Sequence, residues 1–157
     1  MPKLVYIETT IPSYLAAWPA SDIKRAAKQQ ATHDWWNNQR KSFELCTSQV
    51  VLSEAAAGDA DAAGRRMAFL DGLPLLEISA RVDELAAAIL ASELLPPKAL
   101  RDAAHIAVAS VAEVDILLTW NCRHIANATI MRELSELIAA FGFQMPILCT
   151  PLELLGE

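Results

Sequence analysis

Near the start of the chain four apolar residues, Leu4, Val5, Tyr6 and Ile7, run directly into Glu8, Thr9 and Thr10. This junction constrains the fold more than any other stretch. Val5, Tyr6 and Ile7 are β-branched or aromatic, and no polar residue alternates with them. That is the pattern of a strand buried on both faces, as in parallel sheets. Glu8 is thereby predicted at the strand's carboxyl end, where open α/β sheets bind ligands because their loops converge on a crevice. A carboxylate in such a place needs a cation or a proton.

The rest of the pattern supplies such a sheet. A short helical turn opens around Pro12 and Pro19 closes it, and a helix follows from residue 21 to about 41, capped by Ser21 and Asp22. Residues 43–49 read as a strand and 50–57 as a helix with Glu54 in its first turns. Residues 59–70 read as a further helix, 73–78 as a third strand, and 82–92 as a helix capped by Ser79. Beyond Pro96 and Pro97, residues 98–112 form a helix apolar nearly all round, hence buried, with Asp102 one turn inside. A fourth strand spans 115–120, a helix 126–141 stops at Gly142, and 146–149 adds a last short strand before the tail. Right-handed crossovers turn this order into an α/β fold, a mostly parallel sheet with helices on both faces. No repeat or linker interrupts it, so one domain over residues 1–157 is predicted.

Bulk properties narrow the function. With 157 residues, 54% of them hydrophobic, the chain can fill one core. No apolar run reaches membrane-spanning length, and Glu8 falls where a signal peptide needs an uncharged core, so a cytoplasmic protein with no membrane partner is expected. Cys46, Cys122 and Cys149 are odd in number and widely spaced, which fits reduced thiols and no zinc site. A net charge of −6 excludes coating of nucleic acid by charge alone. It leaves room for a nuclease, since Lys24-Arg25-x-x-Lys28, Arg40-Lys41, Arg65-Arg66 and Lys98 with Arg101 can rim an acidic site. The plainer alternative for each is a solvated helix surface.

Glu8, Glu54, Asp102 and Asn121 all fall at strand ends or helix starts. Hard cations take oxygen ligands, and carboxylates from separate elements make a suitable cage. Each has a plainer alternative: Glu8 capping a helix, Glu54 an exposed acid favoured by the helix dipole, and Asp102 paired with Lys98 or a nearby arginine. Asp102 is the hardest to dismiss, because an uncompensated charge in an apolar helix costs roughly several kcal/mol. His105 and His124 follow Asp102 and Asn121 by three residues, and hydrogen-bonded core histidines are expected there rather than catalysts. Cys122 beside Arg123 has no orienting base. Trp35, Trp36 and Trp120 are expected in the core or on a partner surface rather than stacked on bases.

Four motifs in order carry a resemblance: Tyr6-Ile-Glu-Thr-Thr-Ile-Pro-Ser-Tyr14, Ser48-x-x-x-x-Ser-Glu54, Arg101-Asp-Ala-Ala-His-Ile-Ala107 and Leu118-Thr-Trp-Asn-Cys-Arg-His-Ile-Ala-Asn127. Together they resemble a PIN domain, most of all the VapC-like toxin branch, over almost the whole chain. The resemblance implies a three-layer α/β/α sandwich and a Mg²⁺- or Mn²⁺-dependent endoribonuclease. It also implies a toxin paired with a small antitoxin protein and forming a homodimer. Glu8 then stands for the usual first aspartate, Glu54 and Asp102 for the second and third acids, and Asn121 for the fourth, with Thr119 as the hydroxyl residue before it. Glu8 and Asp102 are the implied metal ligands, Glu54 orients water, and Asn121 is a neutral ligand or a donor to metal-bound water. Thr9, Thr10, Arg101 and Arg123 are expected to meet the RNA substrate. Two departures matter. Glu for Asp at position 8 adds a methylene, and Asn121 leaves three negative charges where the family has four, which favours a single metal and reduced or specialised activity. The alternative is a PIN scaffold that binds RNA or protein without cutting.

Overall fold

The structure, a computed structural model, describes residues 1–156. Glu157, the last residue of the predicted domain, lies outside the described residues. Lys3–Ile7 forms β1, with Val5, Tyr6 and Ile7 fully buried. The remaining strands are β2 (Phe43–Ser48), β3 (Leu75–Leu76), β4 (Ile116–Leu118) and β5 (Ile147–Cys149). They form one five-stranded sheet in the order β3-β2-β1-β4-β5, with every pairing parallel. The central position of β1 explains why its sequence alternates nothing polar.

Seven α-helices connect these strands among the described residues: α1 (Thr10–Ala16), α2 (Ile23–Asp34), α3 (Gln49–Ala55), α4 (Ala60–Leu70), α5 (Ala80–Ala91), α6 (Leu100–Val111) and α7 (Met131–Ala140). The chain moves outward from β1 to β3, then crosses back to β4 and on to β5. Right-handed crossovers therefore put α1 to α4 on one face and α5 to α7 on the other, the three-layer α/β/α sandwich expected from the sequence. The packing agrees, since α1 contacts α2 and α4 while α5 contacts α6 and α7. Trp35, Ile106, Leu117, Ile125 and Leu134 belong to one continuous buried cluster that includes the sheet. At the amino-terminal edge of the sheet the Asp115 Oδ2 accepts from the Leu4 amide at 2.8 Å, tying the start of β1 to the start of β4.

The direction of travel reverses between β1 and β4, so their carboxyl ends flank the topological switch point, where such sheets open a crevice. Glu8 follows β1 there and Thr119 follows β4.

Several boundaries differ from those predicted. The helix expected over 126–141 begins only at Met131, because Asn121 and Asn127 turn the preceding backbone. Asn121 Oδ1 accepts from the His124 amide, and Asn127 Oδ1 accepts from both the amide and hydroxyl of Thr129. Such side chains compete with helical hydrogen bonds. The stop at Gly142 is as predicted: with φ +88° it lets its own N–H and that of Phe143 bond the carbonyls of Ala139 and Ile138, a Schellman closure. The strand expected over 73–78 shrinks to Leu75–Leu76 beside Pro74, at the sheet edge. The helix from Asp22 does reach residue 42, but only through a π turn at Trp35–Gln39 and a 3₁₀ turn at Arg40–Ser42.

Two corrections concern the acids. Glu54 is the sixth residue of α3 rather than in its first turns, so the helix dipole does not account for it. Asp102 lies in the first turn of α6, because the helix starts at Leu100 and not at Lys98. Burial of α6 is confined to Ala103 and the run from His105 to Ser110, while Leu100 and Arg101 are exposed.

Candidate functional site

Glu8 is placed by a chain reversal. β1 ends one residue before it and α1 begins two residues after, with the Ile11 amide bonding the Glu8 carbonyl at 3.0 Å. The side chain is 3% exposed. Its Oε1 accepts from the hydroxyls of Thr10 at 2.6 Å and Thr119 at 2.5 Å. Each hydroxyl in turn accepts a backbone N–H, that of Trp120 at 2.8 Å for Thr10 and that of Asn121 at 2.9 Å for Thr119. Those N–H donors commit the single proton of each hydroxyl to Glu8. Oε2 has no hydrogen-bond partner among the described residues and is not fully enclosed, so it is open to a further ligand.

Glu54 approaches from α3. The C-terminus of that helix is held by Arg66, which donates from Nε to the Ala55 carbonyl at 2.9 Å and from Nη2 to the Ala57 carbonyl at 2.6 Å. Glu54 Oε1 meets the Thr9 hydroxyl at 2.7 Å and His105 Nε2 at 2.6 Å. His105 is fully buried, and its Nδ1 lies 2.7 Å from the Tyr6 hydroxyl, which lies 2.7 Å from Ser48 Oγ. Burial by itself raises the Glu54 pKa, yet the bond and charge of His105, the Thr9 hydroxyl and the charge of Arg101 outweigh it and hold the carboxyl below its ordinary value. Burial raises the Tyr6 phenol, with Ser48 only partly countering.

The depressed pKa of Glu54 sets the direction of its own bond: an ionised carboxylate only accepts, so His105 donates from Nε2. On its other side the ring meets the Tyr6 hydroxyl at Nδ1, and that hydroxyl meets Ser48 Oγ. His105 is thus a hydrogen-bonded core histidine, the role expected of it, but its partner is an acid of the site.

The ligand atoms of Glu8, Glu54 and His105 all lie within 4.8 Å of one another, the one such group among the described residues. Asp102, expected beside Glu8 as a ligand, is not a member. Its Oδ2 lies 2.9 Å from His124 Nδ1, and neither Lys98 nor an arginine pairs with it. Asn121, expected as a ligand or donor to water, uses Oδ1 to cap the turn carrying His124. Thr9 and Thr10, expected at the substrate, each give their hydroxyl to an acid. Arg101 is exposed and close enough for its charge to reach Glu54, and Arg123 is exposed on the His124 turn.

The donor set suits a hard divalent cation. Glu8 presents one open carboxylate oxygen and Glu54 a second, and Mg²⁺ or Mn²⁺ needs only one or two carboxylates with waters filling the rest. Both ring nitrogens of His105 are engaged, which makes it a holder of Glu54 rather than a ligand. Burial pushes the Cys46 and Cys149 thiols up to about 12, which disfavours either as a nucleophile.

Sequence reading missed the pairing of His105 with Glu54, the support from Tyr6 and Ser48, and the pairing of Asp102 with His124. No local signal pointed to either pairing, since the partners lie 51 and 22 positions apart on separate elements. Scans against protein-family models, characterised proteins and solved structures returned no match.

Proposed function

We propose that this chain is a metal-dependent endoribonuclease of PIN type, acting as the toxin of a toxin-antitoxin pair. The observation that carries the reading is the convergence of Glu8 and Glu54 at the switch point of a parallel sheet. Each has one oxygen held by hydroxyls or a histidine and the other open. The motif order along the chain supports the family assignment and, through it, RNA as substrate, a small antitoxin that covers the crevice, a homodimer and a cytoplasmic location. No helix among the described residues is long and apolar enough to cross a membrane.

Glu8 and Glu54 would hold the cation, Mg²⁺ or Mn²⁺. When bound it supplies charge neutralisation of the phosphate and a more acidic water. Thr10 and Thr119 keep Glu8 from rotating, so little reorganisation accompanies the reaction. Glu54, with its depressed pKa, is a poor proton acceptor and a good anionic anchor. Arg101, exposed beside it, attracts the phosphate.

The test is cleavage of single-stranded RNA with Mn²⁺, comparing wild type with Glu8→Gln and Glu54→Gln. Each substitution should lower kcat/KM by about a hundredfold or more, the scale on which misplaced groups act. Retained activity in either variant sinks the reading.

A second reading, a scaffold that binds without cutting, draws on the engagement of Asp102 with His124 and of Asn121 in a turn cap. A wild type inert across a range of Mg²⁺ and Mn²⁺ concentrations would favour it.

A further inference from the structure

Trp18 is 72% exposed, yet the loop that carries it is built to stay in place. Gln29 on α2, itself 7% exposed, clamps both sides of the loop: its Nε2 donates to the Trp18 carbonyl at 3.0 Å, and its Oε1 accepts from the Ala20 amide at 2.8 Å. Pro19 lies between and restricts the backbone further. A buried amide thus fixes the backbone on both sides of a largely exposed indole. What meets it is the Arg65 guanidinium, 4.6 Å from the ring centroid. Arg65 is steadied there by its bond to the Ala16 carbonyl at 3.2 Å and its pairing with Asp61.

From Trp18 a strip of rings and cations leads back to Glu8. Hollows on the two sides of α1 share Ser13 and Ala17, one lined by Trp18 and Arg65, the other by Tyr14 and Arg25. Tyr14 packs on Trp120 at 5.9 Å between centroids, and Lys28 Nζ lies 5.6 Å from that indole. The Trp120 amide bonds the Thr10 hydroxyl that holds Glu8. α2 carries Lys24, Arg25 and Lys28 between its cap Asp22 and its last residue Asp34, in a chain whose net charge is −6. Six residue steps of α1 separate Thr10 from Ala16, a rise of about 9 Å, which a few nucleotides span.

We propose that this strip is a track for single-stranded RNA, with a base stacked on Trp18, phosphates on Arg25 and Lys28, and the strand continuing past Tyr14 and Trp120 to Glu8. The proposal rests on the ribonuclease reading above. Aromatic faces alternating with cations are the means by which proteins hold single strands, because every base has a face to stack. A duplex keeps its bases paired inside and offers Trp18 nothing.

The test is fluorescence anisotropy of a short labelled single-stranded RNA in EDTA, where binding is read without cleavage. Trp18→Ala should weaken binding about tenfold, with Trp18→Phe recovering most of it. Arg25→Gln and Lys28→Gln should each lower the slope of log affinity against log salt by roughly 0.7, the value for one phosphate on a single strand. The exposed position of Trp18 predicts unchanged melting temperatures, and the salt slopes test the track without touching that loop. Equal affinity of wild type and Trp18→Ala, or a duplex of the same sequence bound as tightly as the single strand, overturns the proposal. So does a Trp18→Ala variant that keeps RNA affinity but changes oligomeric state, which would make this face a protein interface. RNA bound in EDTA but uncut with Mn²⁺ counts against the nuclease reading and for the track. RNA cut at equal kcat/KM by wild type and Trp18→Ala counts for the nuclease and against the track.

Discussion

Two carboxylates of the site, one buried and one half-buried, are held by quite different means. Glu8 is steered by hydroxyls alone, whereas Glu54 ends a buried relay of Ser48, Tyr6 and His105. Tyr6→Phe removes the central hydroxyl of that relay and leaves Ser48 and a ring nitrogen of His105 without partners. It should cost about 1–3 kcal/mol in urea unfolding, the penalty for stranding buried polar atoms. An unchanged midpoint would mean that the relay is not closed as described. Glu54 also predicts a pH effect. Its folded pKa is depressed, so the stability it contributes is present above the unfolded value near 4.5 and is lost as pH falls below that through the folded pKa. Wild type should therefore lose stability more steeply than Glu54→Gln in this acid window, and parallel curves would contradict the depression.

At the level of elements, β1 was legible because its burial is written in an uninterrupted apolar run, and α6 because most of its length is apolar. The seam between α3 and α6 was not. Glu54 and His105 are 51 positions apart, and nothing local in either helix announces that one will accept a hydrogen bond from the other. Asp102 shows the converse: an apolar neighbourhood in sequence suggested a deep charge, but the helix begins at Leu100 and leaves that acid in its first turn against His124. The region 121–130 misled because Ala126 and Ile130 fit a helical period while Asn121 and Asn127 bind the backbone first. Where capping chemistry is strong, the element ended as predicted. Gly142→Ala should destabilise by about 1 kcal/mol, since a Cβ at φ +88° is strained even though the surrounding space is open, and thermal unfolding measures it.

For the whole molecule, a cation held between α3 and the end of β1, as proposed, would cross-link parts that unfolding separates. Mn²⁺ at roughly a hundred times its dissociation constant should add about 2.7 kcal/mol to wild-type stability. Glu8→Gln should gain far less, and equal gains would place the ion elsewhere. The bond from Thr119 to Glu8 joins positions 111 apart, and it forms only when β4 docks against β1. A polypeptide still emerging from the ribosome, with residue 119 inside the exit tunnel, has its first acid but not the hydroxyl that aims it. The hydroxyl pair that orients Glu8 is therefore incomplete until residue 119, more than three quarters of the way along the chain, has been made and has folded onto β1.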